Sequence, residues 1–169
     1  TDAVQEIAAW IEWLEGKGAD SILLVGHSRG GNQTAWYLTE HDNERVRGAV
    51  LIAPATWDYD KTAQSYDKTT KIPLAGRFED MKKLVLANKG NEMMQNVTTL
   101  YCPDATVTAN TFVSYYEDHP LKDTPHALSQ VAKPVMVIAG SADTVVADLP
   151  EKMSKISSTG VRFEVIEGA

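Results

Sequence analysis

The feature that most constrains this chain is a run of apolar residues that leads into a glycine-rich turn. Residues 22–25 have the composition of a buried strand, and G-H-S-R-G follows at residues 26–30. Residues 32–40 then have a helical pattern. A G-x-S-x-G between a strand and a helix is typical of a serine exposed on a sharp turn, where a base and backbone N–H groups can activate its hydroxyl. We therefore expect Ser28 to be a nucleophile.

The glycines of this turn have a steric reason to be there. We expect a Cβ atom at Gly26 or Gly30 to be too large for so sharp a turn, and small residues let the helix begin close to the strand. The alternative is an ordinary glycine-rich strand–helix turn, in which the hydroxyl of Ser28 caps the helix.

The composition indicates a single globular domain spanning residues 1–169, with 43% hydrophobic and 23% charged residues. A net charge of −7 argues against nucleic acid or an anionic membrane as a partner. No apolar run approaches the roughly 20 residues that a membrane span needs. Cys102 is the only cysteine, which suits a reducing compartment and favours the cytoplasm. The histidines show no metal-ligand spacing, so we expect no metal and no organic cofactor.

Strand and helix patterns alternate along the chain. Besides the strand and helix around Ser28, the apolar spacing predicts helices at residues 3–15 and 149–157 and strands at residues 48–53, 135–139 and 161–166. This alternation predicts an α/β fold with a mostly parallel sheet and helices on both faces. Trp10 and Trp13 widen the apolar face of the first helix. We therefore expect them either to be deeply buried or to contact protein that lies outside this sequence.

The stretch of about residues 55–131 interrupts the alternation and carries most of the tyrosines. Its patterns predict helices at residues 79–88, 92–100 and 111–117. We therefore expect a helical insertion here within the single domain.

Residues with catalytic chemistry are expected where parallel strands end, because sites lie beyond the carboxyl ends of such strands. Four segments leave those ends, namely the turn at Ser28, residues 54–59, residues 140–145 and residues 167–169. Asp143 follows the third strand and is placed to orient a histidine for the serine. Asp148 is the alternative residue for orienting the histidine. The alternative for both carboxylates is helix capping or turn formation.

Together these segments resemble the α/β-hydrolase superfamily. The resemblance rests on G-H-S-R-G at residues 26–30 after an apolar strand and on P-V-M-V-I-A-G-S-A-D at residues 134–143, in the order serine before aspartate. It covers most of the chain and is sharpest at residues 21–35, 47–54 and 133–143. It implies an esterase- or lipase-like serine hydrolase, with the C-terminal half of the family's sheet and a cap-like insertion at about residues 55–131.

The resemblance also implies roles for individual residues. Ser28 would attack a carboxylic ester or a related small acyl substrate, the backbone N–H of Arg29 would help to hold the oxyanion, and Asp143 would orient the histidine. Thioesterase, amidase and acyltransferase chemistry would use the same residues. The candidates for substrate binding are His27, Trp57 and Tyr115, although aromatic residues of the insertion can equally serve as packing.

The sequence departs from the superfamily in its histidines. The catalytic histidine of the superfamily lies after the last strand, and no histidine follows Asp143. His27 flanks the serine, and His41 lies at the far end of the helix that follows it. His119 and His126 lie in the insertion, where the chain order would be wrong for the base. We therefore expect a piece of a longer protein that stops just short of its histidine, with the second oxyanion donor upstream of residue 1.

Two other classes of protein are compatible with parts of this pattern. A non-catalytic α/β-hydrolase-fold protein, used for binding or as a scaffold, would keep the fold and lack a histidine after the last strand. A flavodoxin-like regulatory or cofactor domain fits less well, because the place of its phosphate-binding loop holds G-x-S-x-G.

Overall fold

The computed structural model of this chain describes residues 2–100 and 102–169. The chain divides into two compact units, the first formed by Thr1–Trp57 with His119–Ala169 and the second by Asp58–Asp118. In chain order the elements are α1 (Asp2–Gly16), β1 (Ile22–His27), α2 (Arg29–Glu40), β2 (Val46–Ile52), α3 (Tyr59–Thr70), α4 (Leu74–Leu86), β3 (Met93–Thr99), β4 (Cys102–Thr108), α5 (Ala109–Tyr116), a short 3-10 helix (Pro120–Lys122), α6 (Thr124–Leu128), β5 (Val135–Gly140), α7 (Leu149–Met153) and β6 (Val161–Ile166).

The first unit is built on a four-stranded sheet with the strand order β1-β2-β5-β6. Every neighbouring pair is parallel, so the carboxyl ends of all four strands lie at one edge. The predicted α/β fold, with a parallel sheet flanked by helices, is therefore confirmed. Residues that follow β1, β2 and β5 meet at the same edge of the sheet, where sites of such folds lie.

The core of the first unit lies between one face of this sheet and the helices. Val135, Val137 and Ala139 are buried at alternate positions of β5, because successive side chains of a strand point to opposite faces. Val4 and Ile11, two helical turns apart on α1, are buried in the same core. Each fully buried valine or isoleucine stabilises the fold by about 1.5–3 kcal/mol.

The first strand has exposed apolar side chains. β1 is an edge strand, and Leu23 and Val25 are 59% and 65% exposed, so the described residues cover β1 on one face only. On α1, Trp10 and Trp13 are 65% and 52% exposed and contact each other edge to face, with ring centroids 5.8 Å apart. Of the two expectations for these tryptophans, deep burial is therefore wrong, and contact with protein outside this sequence stays a prediction.

The second unit has its own aromatic core. Its fully or nearly fully buried members are Tyr66, Leu74, Met81, Val97, Ala109, Phe112 and Tyr116. Tyr116 accepts a hydrogen bond from the backbone N–H of Leu100, and burial raises the pKa of its hydroxyl to about 12. The unit lies within the stretch 55–131 that the sequence marks as an insertion.

One predicted helix of the insertion is wrong. Residues 92–100 were expected to be helical, but β3 pairs there with β4 in an antiparallel hairpin. Val97, Thr98 and Thr99 are β-branched, and such side chains disfavour a helix and pack well on a strand. Helix α3 is not predicted by the sequence, because Tyr66 is the one buried residue of this helix and the apolar pattern is weak.

The isolated segment of residues 1–169 is expected to self-associate. An edge strand leaves backbone N–H and C=O groups without a strand partner, and in β1 these lie beside exposed apolar side chains. Size-exclusion chromatography with light scattering measures the association. Val25→Lys should shift the segment toward monomer, whereas Leu86→Lys, at an 81% exposed position outside any strand, should not. A monomeric unmodified segment at micromolar concentration would contradict this expectation.

Candidate active site

Ser28 is the single residue between β1 and α2, and its backbone is strained. Its φ of 53° and ψ of −123° lie in a region that residues with a side chain rarely adopt, at a cost of order 1–3 kcal/mol. Four backbone hydrogen bonds hold it there. Its N–H donates to the carbonyl of Ile52 (2.9 Å), and its own carbonyl accepts from the N–H groups of Gly31 (3.0 Å), Asn32 (3.2 Å) and Ala55 (2.9 Å). The turn is thus fixed by contacts from β2, α2 and the segment after β2.

The hydroxyl of Ser28 makes no capping hydrogen bond to α2, although the residue occupies the N-cap position. The alternative in which Ser28 serves as an ordinary helix cap is therefore wrong. The residue is partly exposed at the carboxyl edge of the sheet. The N–H groups in the first turn of a helix point toward its N-terminus and favour negative charge there. The first of these on α2 belongs to Arg29.

Two glycines let the helix approach the strand. A Cβ atom at Gly26 would lie 2.6 Å from the carbonyl oxygen of Gly30, and one at Gly31 would lie 2.9 Å from the Cβ of Pro54. At Gly30, however, an added Cβ would meet no atom within 4 Å in the described part of the chain. The steric role expected for Gly30 is therefore wrong. The helix begins at Arg29, earlier than expected, so Gly31 is the helical residue that faces Pro54.

Asp143 lies in the loop after β5. Its Oδ1 accepts hydrogen bonds from the N–H groups of Val145 (2.7 Å) and Val146 (3.2 Å), so the carboxylate does form a turn. These bonds also fix its orientation. β1 and β5 are separated by β2 alone, and neighbouring strands lie about 4.8 Å apart. The fold therefore brings Ser28 and the loop that carries Asp143 to the same edge, after strands that lie two spacings apart.

Asp148 has different partners. Its Oδ1 accepts a hydrogen bond from the hydroxyl of Thr56 (2.7 Å), and its Oδ2 lies 3.3 Å from the Nζ of Lys152. It makes no capping bond to α7, contrary to that alternative. Both of its oxygens are engaged in a polar cluster, which favours Asp143 over Asp148 as the residue that orients a histidine.

Lys152 is the centre of this polar cluster, and the sequence does not predict it. Its Nζ lies 2.6 Å from Oδ1 of Asp123 and donates a hydrogen bond to the carbonyl of Trp57 (2.9 Å). Burial lowers the pKa of Lys152, but the hydrogen bonds and charges of Asp123 and Asp148 outweigh this effect and raise it. Lys152 is therefore charged at neutral pH. The only local sign of the cluster is the i, i+4 spacing of Asp148 and Lys152.

The other predicted substrate-binding residues lie in different places. His27 is exposed at the end of β1, next to Ser28. Trp57 ends the first part of the first unit, and the Nζ of Lys122 lies 4.9 Å from the centre of its ring. Tyr115 belongs to the second unit, where its ring contacts that of Tyr116 at 4.8 Å.

Two of the remaining histidines have packing contacts. Nδ1 of His119 accepts a hydrogen bond from the N–H of Leu121 (3.2 Å), and the ring stacks on Trp36 at 4.6 Å. His41 contacts Tyr37 edge to face. These contacts support the expectation that neither residue is the base. Within residues 2–100 and 102–169, no three His, Cys, Asp or Glu side chains gather to hold a metal ion. Over the same residues, every helix is too short or too polar to cross a membrane.

Comparison with known proteins identifies the family. Residues 1–169 match the family described as alpha/beta hydrolase fold, so the chain belongs to this family and the resemblance seen in the sequence is confirmed. The bifunctional esterase/perhydrolase DCH of Acinetobacter calcoaceticus is 24% identical in an alignment 161 residues long, which covers 83% of this chain and 55% of that protein. The chain thus spans about half the length of this curated relative.

Solved structures share the fold. A monoacylglycerol lipase from Paleococcus ferrophilus has a TM-score of 0.60 at 15% identity, covering 98% of this chain and 66% of that one. Est1E from Butyrivibrio proteoclasticus, solved with ferulic acid, has a TM-score of 0.58 at 13% identity, covering 98% and 57%. The esterase domain of a Rhodothermus marinus protein has a TM-score of 0.57 at 12% identity, covering 98% and 59%.

Gly26→Ala is expected to destabilise the full-length protein by about 1–3 kcal/mol, because the new methyl group would overlap backbone atoms of Gly30 and Gly31. Gly30→Ala is the matched control. It enters open space on a helix, where alanine is favoured over glycine by up to about 1 kcal/mol. Chemical denaturation of both variants measures the difference. Equal losses of stability would contradict the close approach at Gly26.

Proposed function

We propose that the protein is a serine hydrolase that acts on carboxylic esters or related acyl substrates, with Ser28 as its nucleophile. The observation that carries the proposal is the strained backbone of Ser28 between β1 and α2, with its hydroxyl outside any capping bond. Strain of this kind concentrates at catalytic sites, and such a turn presents the serine Oγ at the top of the sheet. The esterase and lipase names of the relatives support the same class of reaction.

The proposed reaction uses the groups at this edge of the sheet. The Oγ of Ser28 attacks the carbonyl carbon of the acyl substrate while its proton passes to a histidine. The carbonyl oxygen becomes an oxyanion, to which the backbone N–H of Arg29 donates a hydrogen bond at the positive end of α2. Asp143 holds the histidine in the correct tautomer and stabilises the imidazolium.

The histidine is proposed to lie outside residues 1–169. Within the sequence in hand, none follows Asp143, and the contacts of His41 and His119 give each a packing role. β6 lies next to β5 in the sheet, so a histidine that follows β6 would lie at the same carboxyl edge as Asp143. The order serine, aspartate, histidine is that of this fold.

We further propose that the second unit acts as a cap that contributes to substrate choice. It is inserted after β2, and β2 ends at the same edge as the strand that leads to Ser28. Tyr115 of this unit, together with His27 and Trp57 of the first, remains a candidate for contact with the acyl group. Thioesterase, amidase and acyltransferase chemistry would use the same nucleophile and are variants of this proposal.

A fluorophosphonate probe is expected to label the full-length protein on Ser28, because such probes react with activated serines. Labelling should be lost in Ser28→Ala and retained in Ser141→Ala. Ser141 is a matched control, since it lies near the same edge but its hydroxyl donates to Glu167 (3.0 Å). Mass spectrometry of the labelled peptide identifies the site. Label that persists in Ser28→Ala would refute the assignment, and an unlabelled full-length protein would favour the non-catalytic binding or scaffold alternative.

Asp143→Asn in the full-length enzyme is expected to lower kcat by about 10³–10⁴-fold, because an amide would hold the wrong histidine tautomer. Asp148→Asn should cost far less, since its carboxylate contacts Thr56 and Lys152 instead. Steady-state kinetics on p-nitrophenyl esters measures both. A larger loss for Asp148→Asn would reverse the two roles.

A further inference from the structure

A three-residue segment connects the turn at Ser28 with the polar cluster of Lys152. This connecting segment, residues 55–57, follows β2 and leads to the second unit. At its start, the N–H of Ala55 donates to the carbonyl of Ser28 (2.9 Å). The carbonyl of Ala55 accepts a hydrogen bond from the hydroxyl of Thr124 (2.6 Å). Ala55 thus joins the strained turn to the chain that returns from the second unit.

The other two residues of the connecting segment are held by the cluster. The hydroxyl of Thr56 donates to Asp148, and the N–H of Trp57 donates to Oδ1 of Asp123 (2.9 Å). The carbonyl of Trp57 accepts from the Nζ of Lys152 (2.9 Å). Asp123 comes from the returning chain, while Asp148 and Lys152 come from α7 and the residue before it. The segment is therefore fixed from three distant parts of the sequence, namely the turn at Ser28, the returning chain and α7 with the residue before it.

Lys152 pairs with two carboxylates at once, at 2.6 Å from Asp123 and 3.3 Å from Asp148. Its side chain is 23% exposed, and those of Asp123 and Asp148 are 20% and 26% exposed, so solvent screens the charges only in part. Removing the ammonium would take a shared cation away from both partly buried carboxylates. The position of Trp57 therefore depends on the lysine through its carbonyl, and that of Thr56 depends on it through Asp148.

We propose that Lys152 is a positioning residue, which holds residues 55–57 against the carbonyl of Ser28 and so maintains the strained turn. A strained backbone persists only where its surroundings over-determine it, and the Ala55 hydrogen bond is one of four that do so here, the one from outside the β1–β2 pair and α2. Loosening this bond lets the serine relax away from its reactive position. The consequence for catalysis rests on the proposed function, whereas the positioning itself does not.

Hydrogen exchange on the full-length protein tests the positioning without reference to activity. The amides of Ala55 and Trp57 should be protected in the unmodified protein. In Lys152→Met they should exchange at least about tenfold faster, and in Lys152→Arg, which keeps the charge, at an intermediate rate. Lys155→Met is the matched control, because Lys155 lies three residues after Lys152 and forms an exposed pair with Glu151. An unchanged rate at Ala55 in Lys152→Met overturns the proposal, whatever the protein hydrolyses.

Ester hydrolysis provides the second readout. We expect Lys152→Met to lower kcat by about 10²-fold, the loss that a misplacement of about 1 Å can cause. Lys155→Met should keep the native kcat, and Lys152→Arg should recover part of it. If the full-length protein shows no hydrolysis with any variant, the proposed function fails and the exchange rates alone decide the positioning role.

A charge-neutral variant covers the case in which Lys152→Met does not fold. Lys152→Met combined with Asp123→Asn and Asp148→Asn removes the uncompensated charge and should restore the melting temperature. Because the ammonium still does not hold Trp57, fast exchange at Ala55 and low kcat should remain. A triple variant with native exchange and native kcat would show that the cluster contributes stability only, and would overturn the proposal.

Discussion

The strained backbone of Ser28 is the constraint on which the rest of the first unit depends. A residue with a side chain adopts a φ of 53° only if its neighbours leave no better choice. Those neighbours are the carbonyl of Ile52 and the N–H groups of Gly31, Asn32 and Ala55. The pairing of β1 with β2 places the first, and the first turn of α2 supplies the next two. Sheet pairing, helix start and loop path thus all converge on one turn.

Two carboxylates five residues apart illustrate how environment separates roles. Asp143 uses one oxygen to fix its own loop through backbone N–H groups. Asp148 is committed to Thr56 and to the charge of Lys152. Chemically identical groups acquire different functions when their partners differ, which is a general feature of sites with paired acids. The carboxylate of Asp148 is held by Thr56 and Lys152, so the proposed orienting role falls to Asp143.

The parts of the fold that follow from local patterns could be predicted from the sequence. The parallel strands and the turn at Ser28 depend on short apolar runs and on glycines close in sequence. The β3–β4 hairpin could not be predicted in the same way, because short segments with mixed apolar residues fit a helix or a strand until a partner strand is known. The cluster of Lys152 was missed because Trp57 and Asp123 lie far from it in the chain.

The separate cores of the two units have a consequence for how this protein can change over generations. Buried residues of the second unit, such as Phe112 and Tyr116, belong to a cluster of their own, and the sheet core is built from the first unit. Substitutions that repack the aromatic cluster therefore leave the packing around Leu51 and Val137 intact. Natural selection can vary the inserted 58–118 unit at little risk to the sheet. Sequence variation can accumulate there while the turn at Ser28 stays the same.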